Sequence, residues 1–206
     1  MAIDAILLDA DGVIQTMSTD LHTSMEAALG AGVPVEELMD EIFEKERASL
    51  TGQGDFREAL QAVLRQANVT VTVDEVLRFW SMIEIVPGML ELVAELRARE
   101  YPCFLASNQQ RYRARHMSTT LGYAEAFTGE FYSWVLAAMK PDVTFFQAIL
   151  RELDLDPGSL LFVDDHEPNV EAARELGIRA VRFDARQHAE PAAALRTMID
   201  DQLAIQ

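Results

Sequence analysis

Four short apolar runs limit what this chain can fold into: AILLDA at residues 5–10, CFLAS at 103–107, LLFVDD at 160–165 and RAVRF at 179–183. A weaker fifth, GEFYSWV, occupies 129–135. The runs are continuous rather than alternating, so each predicts a short strand covered on both faces, as in a parallel sheet. Helical patterns lie between them. Met89, Leu92, Val93 and Leu96 recur at helical spacing after Pro87 and Gly88; segments 142–155 and 167–177 follow, with Gly177 as a C-terminal cap. Strand and helix alternate, which predicts an α/β fold with a doubly wound, mostly parallel sheet.

Residues 15–86 break the alternation. Four helical segments fit there, about 20–31, 34–50, 55–67 and 73–85, punctuated by Gly30, Gly32 and Pro34 and by TGQGD at 51–55. No convincing strand is read in this block, and it is too long for an ordinary crossover between parallel strands. The expected organisation is a core of residues 1–14 and 87–206 carrying a helical cap subdomain of residues 15–86.

Polar signals close the predicted strands. Asp9 and Asp11 close the run at 5–10, Ser107 and Asn108 the run at 103–107, and Asp164 and Asp165 the run at 160–165, while Lys140 in MKPD lies beyond the weak strand and before a helix. In open α/β sheets the ligand crevice lies at the carboxyl ends of the strands, so these segments are expected to converge. Taken singly each is weak: DADG suits a turn, and an acidic pair can cap a helix. The ordered set is the signal. Carboxylates at close quarters repel one another, and a hard divalent cation such as magnesium, which prefers oxygen ligands, offsets that repulsion. Asp9 suits nucleophilic attack on phosphorus, Asp11 proton transfer to and from the leaving oxygen and water, Ser107 a hydrogen bond to a phosphoryl oxygen, and Lys140 compensation of charge.

Composition narrows the partners. Seventeen Lys and Arg against 34 Asp and Glu give a formal charge of −17, which argues against electrostatic binding to nucleic acid or an anionic membrane surface. An anionic small molecule is still compatible with this charge, given a local cation such as a metal ion or a few placed basic residues. The amino terminus lacks the pattern of a secretory signal and no apolar run approaches bilayer length, so a cytoplasmic protein is expected. Cys103, the single cysteine, reads as a packing residue. His22 and Glu26 are the candidate inward-facing residues of the cap, Trp80 reads as cap core, and Arg111 as part of a solvated helix face. His166 neighbours the acidic pair and reads as a variable loop position.

DADGV, Ser107 after the second strand, the KPD lysine and VDDHEPN together resemble the four ordered motifs of the haloacid dehalogenase-like hydrolase superfamily, over nearly the whole chain. Within it, residues 133–177 are most similar to small sugar-phosphatase-like members and to the phosphatase domain of soluble epoxide hydrolases. The resemblance implies a Rossmann-like core with a helical cap, and a phosphatase that works through an aspartyl-phosphate, with sugar phosphates among the substrates it allows. It implies Asp9 as nucleophile, Asp11 as general acid/base and Mg²⁺ bound by Asp9, the Asp11 backbone carbonyl and the acidic pair. Asp165 would be the direct ligand of that pair, with Asp164 acting through water or orienting Lys140. Ser107 and Asn108 would bind phosphate. Gln109, Ala137 and Val143 depart from the family pattern, touching no catalytic side chain and expected to reshape the substrate loops. A phosphomutase shares all four motifs and stays open. A 2-haloacid dehalogenase uses an aspartate nucleophile without metal, and Asp11 argues against it. A phosphotransfer receiver module is shorter and puts its acidic pair first. Oligomeric state is not legible.

Overall fold

A computed structural model describes residues 2–30 and 33–205. In chain order the elements begin with β1 (Ala5–Leu8), β2 (Gln15–Met17), α1 (Leu21–Leu29), α2 (Val35–Glu46), α3 (Phe56–Gln66), α4 (Val73–Trp80) and β3 (Ile83–Ile85). Then come α5 (Met89–Ala98), β4 (Cys103–Ser107), α6 (Arg111–Thr119), α7 (Tyr123–Ala126), β5 (Gly129–Tyr132), α8 (Ser133–Leu136) and α9 (Val143–Leu153). The chain closes with β6 (Leu160–Asp164), α10 (Glu167–Glu175), β7 (Arg179–Arg182) and α11 (Pro191–Ala204).

Five strands form a parallel sheet in the order β5-β4-β1-β6-β7. β1 is central, and its four residues are buried because helices cover both faces. Ile6 and Leu8 pack with α5, α6 and α11 through Met89, Leu92, Met117 and Leu195. Ala5 and Leu7 pack the other way, with Phe145, Phe146, Ile149 and Val170 of α9 and α10. The apolar run is continuous for that reason: every position, odd or even, loses water, at about 1.5–3 kcal/mol for each large aliphatic side chain. Beyond α10, Gly177 takes φ +85° and the Ile178 N–H reaches back to the Ala173 carbonyl, closing the helix.

Helices α1 to α4 pack around a separate core that includes Leu21, Met25, Leu38, Ile42, Phe56, Leu60 and Trp80. Local chemistry fixes the ends of two of them. Asp55 caps α3 by accepting from the Arg57 N–H, and Thr72 with Glu75 forms a reciprocal capping box on α4. Two features of this block differ from the sequence reading. The fourth helix stops at Trp80 rather than 85, and β2 and β3 pair antiparallel, Gln15 with Ile85, Thr16 with Glu84 and Met17 with Ile83. Three-residue strands are too short to carry a period, and Ile83 and Ile85 also fit the helical pattern that precedes them. Gly32 lies outside the described residues. No helix among the described residues is long and apolar enough to cross a membrane.

Two contacts seat the helical block on the core. Asp55 accepts from the Arg111 guanidinium at 2.6 Å and from the Tyr112 hydroxyl at 2.8 Å. Gly52 lies so close to α8 that a Cβ there would sit 2.8 Å from the Trp134 carbonyl. Arg111 thus pairs with the helical block while its side chain stays about half exposed, on the solvated face of α6 that the sequence suggests.

Candidate active site

The sheet delivers its polar residues to one cavity of about 520 Å³, within the usual range for small-ligand sites. Asp9 follows β1 directly, Ser107 ends β4 and Asp164 ends β6, so three neighbouring strands present them at one edge. Asp9, Asp11, Ser107, Asn108, Lys140 and Asp165 all line the cavity, with Asp164 buried behind them.

Lys140 is buried and its ammonium has three partners. It donates to Asp164 Oδ2 at 2.6 Å and to the Ala106 carbonyl at 2.8 Å, and lies 2.8 Å from Asp9 Oδ1. Burial alone would lower its pKa, but Asp9 and Asp164 outweigh that and hold it charged, above the ordinary lysine value. Asp9 Oδ1 also accepts the Ala10 N–H at 2.7 Å. Among the described residues no donor reaches Asp9 Oδ2. Burial pushes the Asp9 carboxyl well above the usual range; Lys140 opposes this and Asp164 adds to it. Asp164 is oriented by the His166 N–H and by the Asn169 amide at 2.8 and 2.9 Å. Its position behind Lys140 fits an orienting role.

Asn108 has a specific task. Its amide donates to the Lys140 carbonyl at 2.8 Å and its Oδ1 accepts the Lys140 N–H at 2.9 Å. The side chain is committed to holding the lysine loop, which leaves only its backbone to face a phosphate. Ser107 Oγ is buried and accepts from the Gln109 amide at 3.2 Å.

One oxygen from each of Asp9, Asp164 and Asp165 lies within 4.8 Å of the others. Gly12, at φ +80°, makes this approach feasible: a Cβ there would fall 2.2 Å from Asp165 Oδ2. Hard, closely set carboxylate oxygens with a cleared approach fit a magnesium ion, with Asp9 and Asp165, which line the cavity, as the candidates to hold it. Asp165 is raised by burial and by Asp164, and Arg186, 2.9 Å away, opposes the shift.

Asp11 is held from several sides. Arg113 grips it with two bonds, Nη1 to Oδ2 at 2.6 Å and Nη2 to Oδ1 at 2.8 Å. Gln109 and Gln15 donate to it at 2.7 and 3.0 Å. Burial would raise its pKa, yet Arg113 and these donors hold it below the ordinary value. The same guanidinium donates from Nε to the Trp80 carbonyl at 2.9 Å, tying this carboxylate to the end of cap helix α4.

Several sequence expectations change here. Gln109 does touch a catalytic candidate, because its amide bonds Asp11. Ala137 adopts φ +53°, the left-handed backbone that glycine takes freely. His22 and Glu26 form an exposed pair 3.6 Å apart on α1 and line no part of this cavity. Met17, Phe43, Glu46, Leu50 and Trp80 line it instead. Trp80 is cap core and cavity wall together. Arg113 and Arg186 were missed; Arg113 reaches back from α6 to Gln109, which precedes the helix, at 2.9 Å, a contact that no periodicity announces. Cys103 is buried, and burial pushes its thiol up to about 12, which disarms it as a nucleophile.

Glu46 is buried between Trp80 and Arg113, its Oε1 accepting the indole N–H at 3.1 Å. Burial raises its pKa from 4.5 to about 7, with Arg113 and the indole bond opposing. The folded state therefore holds this proton more tightly than the unfolded chain does, and stability falls as pH rises from about 4.5 to 7. Glu46→Gln removes that loss while keeping the acceptor. Its stability relative to the parent protein is expected to improve by about 2–3 kcal/mol between pH 5 and 8, read by urea unfolding at each pH. A pH-independent difference would refute the buried-acid assignment.

The arrangement combines an available carboxylate oxygen, a fixed ammonium, a metal-sized acidic cluster and an ion-paired carboxylate close by. Comparison with known proteins gives it a context. The fold superposes on a HAD family enzyme, bt-2542 from Bacteroides thetaiotaomicron, with a TM-score of 0.77 at 20% identity, covering 88% of this chain and 94% of that one. A second structure of that enzyme, a magnesium complex, gives 0.76 at 22% identity over 90% and 95% of the two chains. L-2-haloacid dehalogenase from Xanthobacter autotrophicus gives 0.67 at 20% identity over 98% and 85%. Among curated proteins, the sesquiterpene phosphatase astK of Aspergillus oryzae is 27% identical over 90 residues, 44% of this chain and 46% of astK. Drimenol cyclase drtB of Aspergillus calidoustus is 40% identical over 53 residues, 26% of this chain and 10% of drtB. The matched stretch is less than half the length of either relative. The haloacid dehalogenase-like hydrolase family matches residues 3–177, which takes in every strand and loop that lines the crevice floor from β1 to β6, and by that extent the chain belongs to it.

Proposed function

We propose that this protein is a magnesium-dependent phosphatase that hydrolyses a small phosphorylated metabolite through an aspartyl-phosphate on Asp9. The observation that carries the reading is Asp9 itself: Lys140 and the Ala10 N–H secure one oxygen, and the other faces the cavity beside Asp165. The similarity to the astK phosphatase favours phosphate esters over haloacids.

In the first step Asp9 Oδ2 attacks phosphorus as the bond to the leaving oxygen breaks. That oxygen takes its proton from Asp11, which enters this step in its protonated minority form because Arg113 favours the ionised one. In the second, Asp11 takes a proton from water as the water attacks phosphorus and the Asp9 carboxylate leaves. Arg113 favours the ionised Asp11 that the second step uses. Lys140 compensates charge on Asp9 and the transferring group, and Ser107 donates to a phosphoryl oxygen. A magnesium ion held by Asp9, Asp165 and the Asp11 carbonyl would supply further charge neutralisation and fix the phosphoryl oxygens.

Phosphate release across a metabolite panel, with and without chelator, tests this. Turnover is expected to vanish on chelation and return with magnesium. Asp165→Ala is expected to raise the half-activating magnesium concentration by about 10–100-fold or more, the loss typical of even an outer contact to a metal. Full phosphate release in excess chelator would overturn the magnesium requirement. Release of halide from 2-haloacids with no phosphate release from the panel would make the enzyme a dehalogenase, and transfer of phosphate to a second substrate position without release would make it a mutase.

A further inference from the structure

The floor and the roof of the cavity differ in kind. The floor carries the charged residues already described, while the cap supplies Met17, Phe43, Leu50 and Trp80 with only Thr16 and Glu46 as polar members. Phe43 is 40% exposed, one of three large hydrophobic residues left open to solvent among the described residues, and its ring lies 5.0 Å from that of Trp80. An exposed apolar side chain set on a cavity wall is a surface that a ligand can cover.

The charges of the cavity point the same way. Lys140 is paired with Asp9 and Asp164, Arg113 with Asp11, and Arg186 with Asp165 and Asp184. Among the described residues no cation on the roof waits for a second anionic group. Thr16 and Glu46 are, among the described residues, the only polar side chains the roof brings to the cavity, too few to partner the several hydroxyls of a sugar. A sugar body placed here would bury hydroxyls against Met17, Phe43 and Leu50 without partners, which opposes binding.

Building on the phosphatase reading, we infer that the substrate is a monophosphate ester of a hydrocarbon-bodied alcohol, an alkyl or alkenyl chain rather than a sugar. Phosphate sits on the floor at Asp9, and the chain runs under the cap against Met17, Phe43, Leu50 and Trp80. These four residues determine specificity. A chain that fills this space displaces water from both itself and the wall, so selectivity grows with chain length until the cavity is full.

The test measures kcat/KM with magnesium for acetyl phosphate, for butyl, hexyl, octyl and decyl phosphates, and for hexose phosphates, in the parent protein and in Phe43→Ser and Leu50→Ser. The parent is expected to gain roughly 10-fold for each pair of buried methylenes and to prefer the longer chains over hexose phosphates by about 100-fold or more. Either substitution is expected to flatten that dependence on chain length. Phe43 is partly exposed, so Phe43→Ser is expected to leave the fold intact, which a thermal melt checks. If acetyl phosphate is cleaved but alkyl phosphates show no chain-length dependence, or hexose phosphates are faster, the hydrocarbon assignment is overturned and the phosphatase reading stands. If no member of the series releases phosphate, both fall together.

Discussion

Asp9→Asn is expected to abolish turnover and leave no acid-labile phosphoenzyme from any substrate. Removing a covalent nucleophile from a site built around it costs on the order of 10⁴–10⁶-fold in rate. The substitution is structurally mild. Asparagine keeps an oxygen that can accept from the Ala10 N–H and Lys140, and it takes one negative charge out of a crowded cluster. Loss of activity in a variant as stable as the parent separates chemistry from folding. Quenched incubations with labelled substrate read the intermediate directly, and labelled enzyme from the Asp9→Asn variant would place the nucleophile elsewhere.

Asp11→Asn is expected to have the next largest effect, and one that depends on the leaving group. General acid–base assistance is worth about 10²–10⁴-fold. An alkyl alkoxide needs the proton as the ester bond breaks, so alkyl phosphates bear the full loss in the first step. An aryl phosphate with a good leaving group bears less. Burst kinetics on the two substrate types distinguish the cases, and equal loss of phosphoenzyme formation on both would make Asp11 a structural or metal residue. The variant also releases Arg113 from its anion. A buried ion pair broken on one side costs about 3–5 kcal/mol, and here the cost is smaller because Asp11 opens onto the cavity and Arg113 keeps the Trp80 carbonyl and Gln109.

The strand ends were legible because parallel strands buried on both faces leave an unbroken apolar run, and the polar residue that closes the run must then lie at the crevice. Asp9, Ser107 and Asp164 all follow that logic. The helices of residues 21–80 were legible as a break in alternation, although which of their faces meets the cavity was not. Helical periodicity tells which residues share a side, and α1 turns His22 and Glu26 to solvent while α2 turns Phe43 and Glu46 to the cavity. Arg113 was illegible for another reason: an arginine in RYRAR looks solvated until the fold brings Asp11, 102 residues earlier in the chain, within 2.6 Å of it. The role of Asn108 was equally hidden, since its partner is the backbone of Lys140. Long-range polar pairings leave no period in a sequence.

The short ribbon of β2 and β3 has a meaning beyond the site. The chain leaves the core at Gln15 and returns at Ile85, and those two residues face each other across one ladder. Everything between them is, topologically, a single excursion whose ends are already joined. Lengthening such an excursion adds little entropic penalty, about 0.6 kcal/mol for each doubling of a flexible connection. Selection on the cap can therefore replace, enlarge or trim it without disturbing the register of β1 against β4 and β6. The roof over the crevice can thus vary in sequence and size while the strands that carry Asp9, Ser107 and Asp164 stay in place.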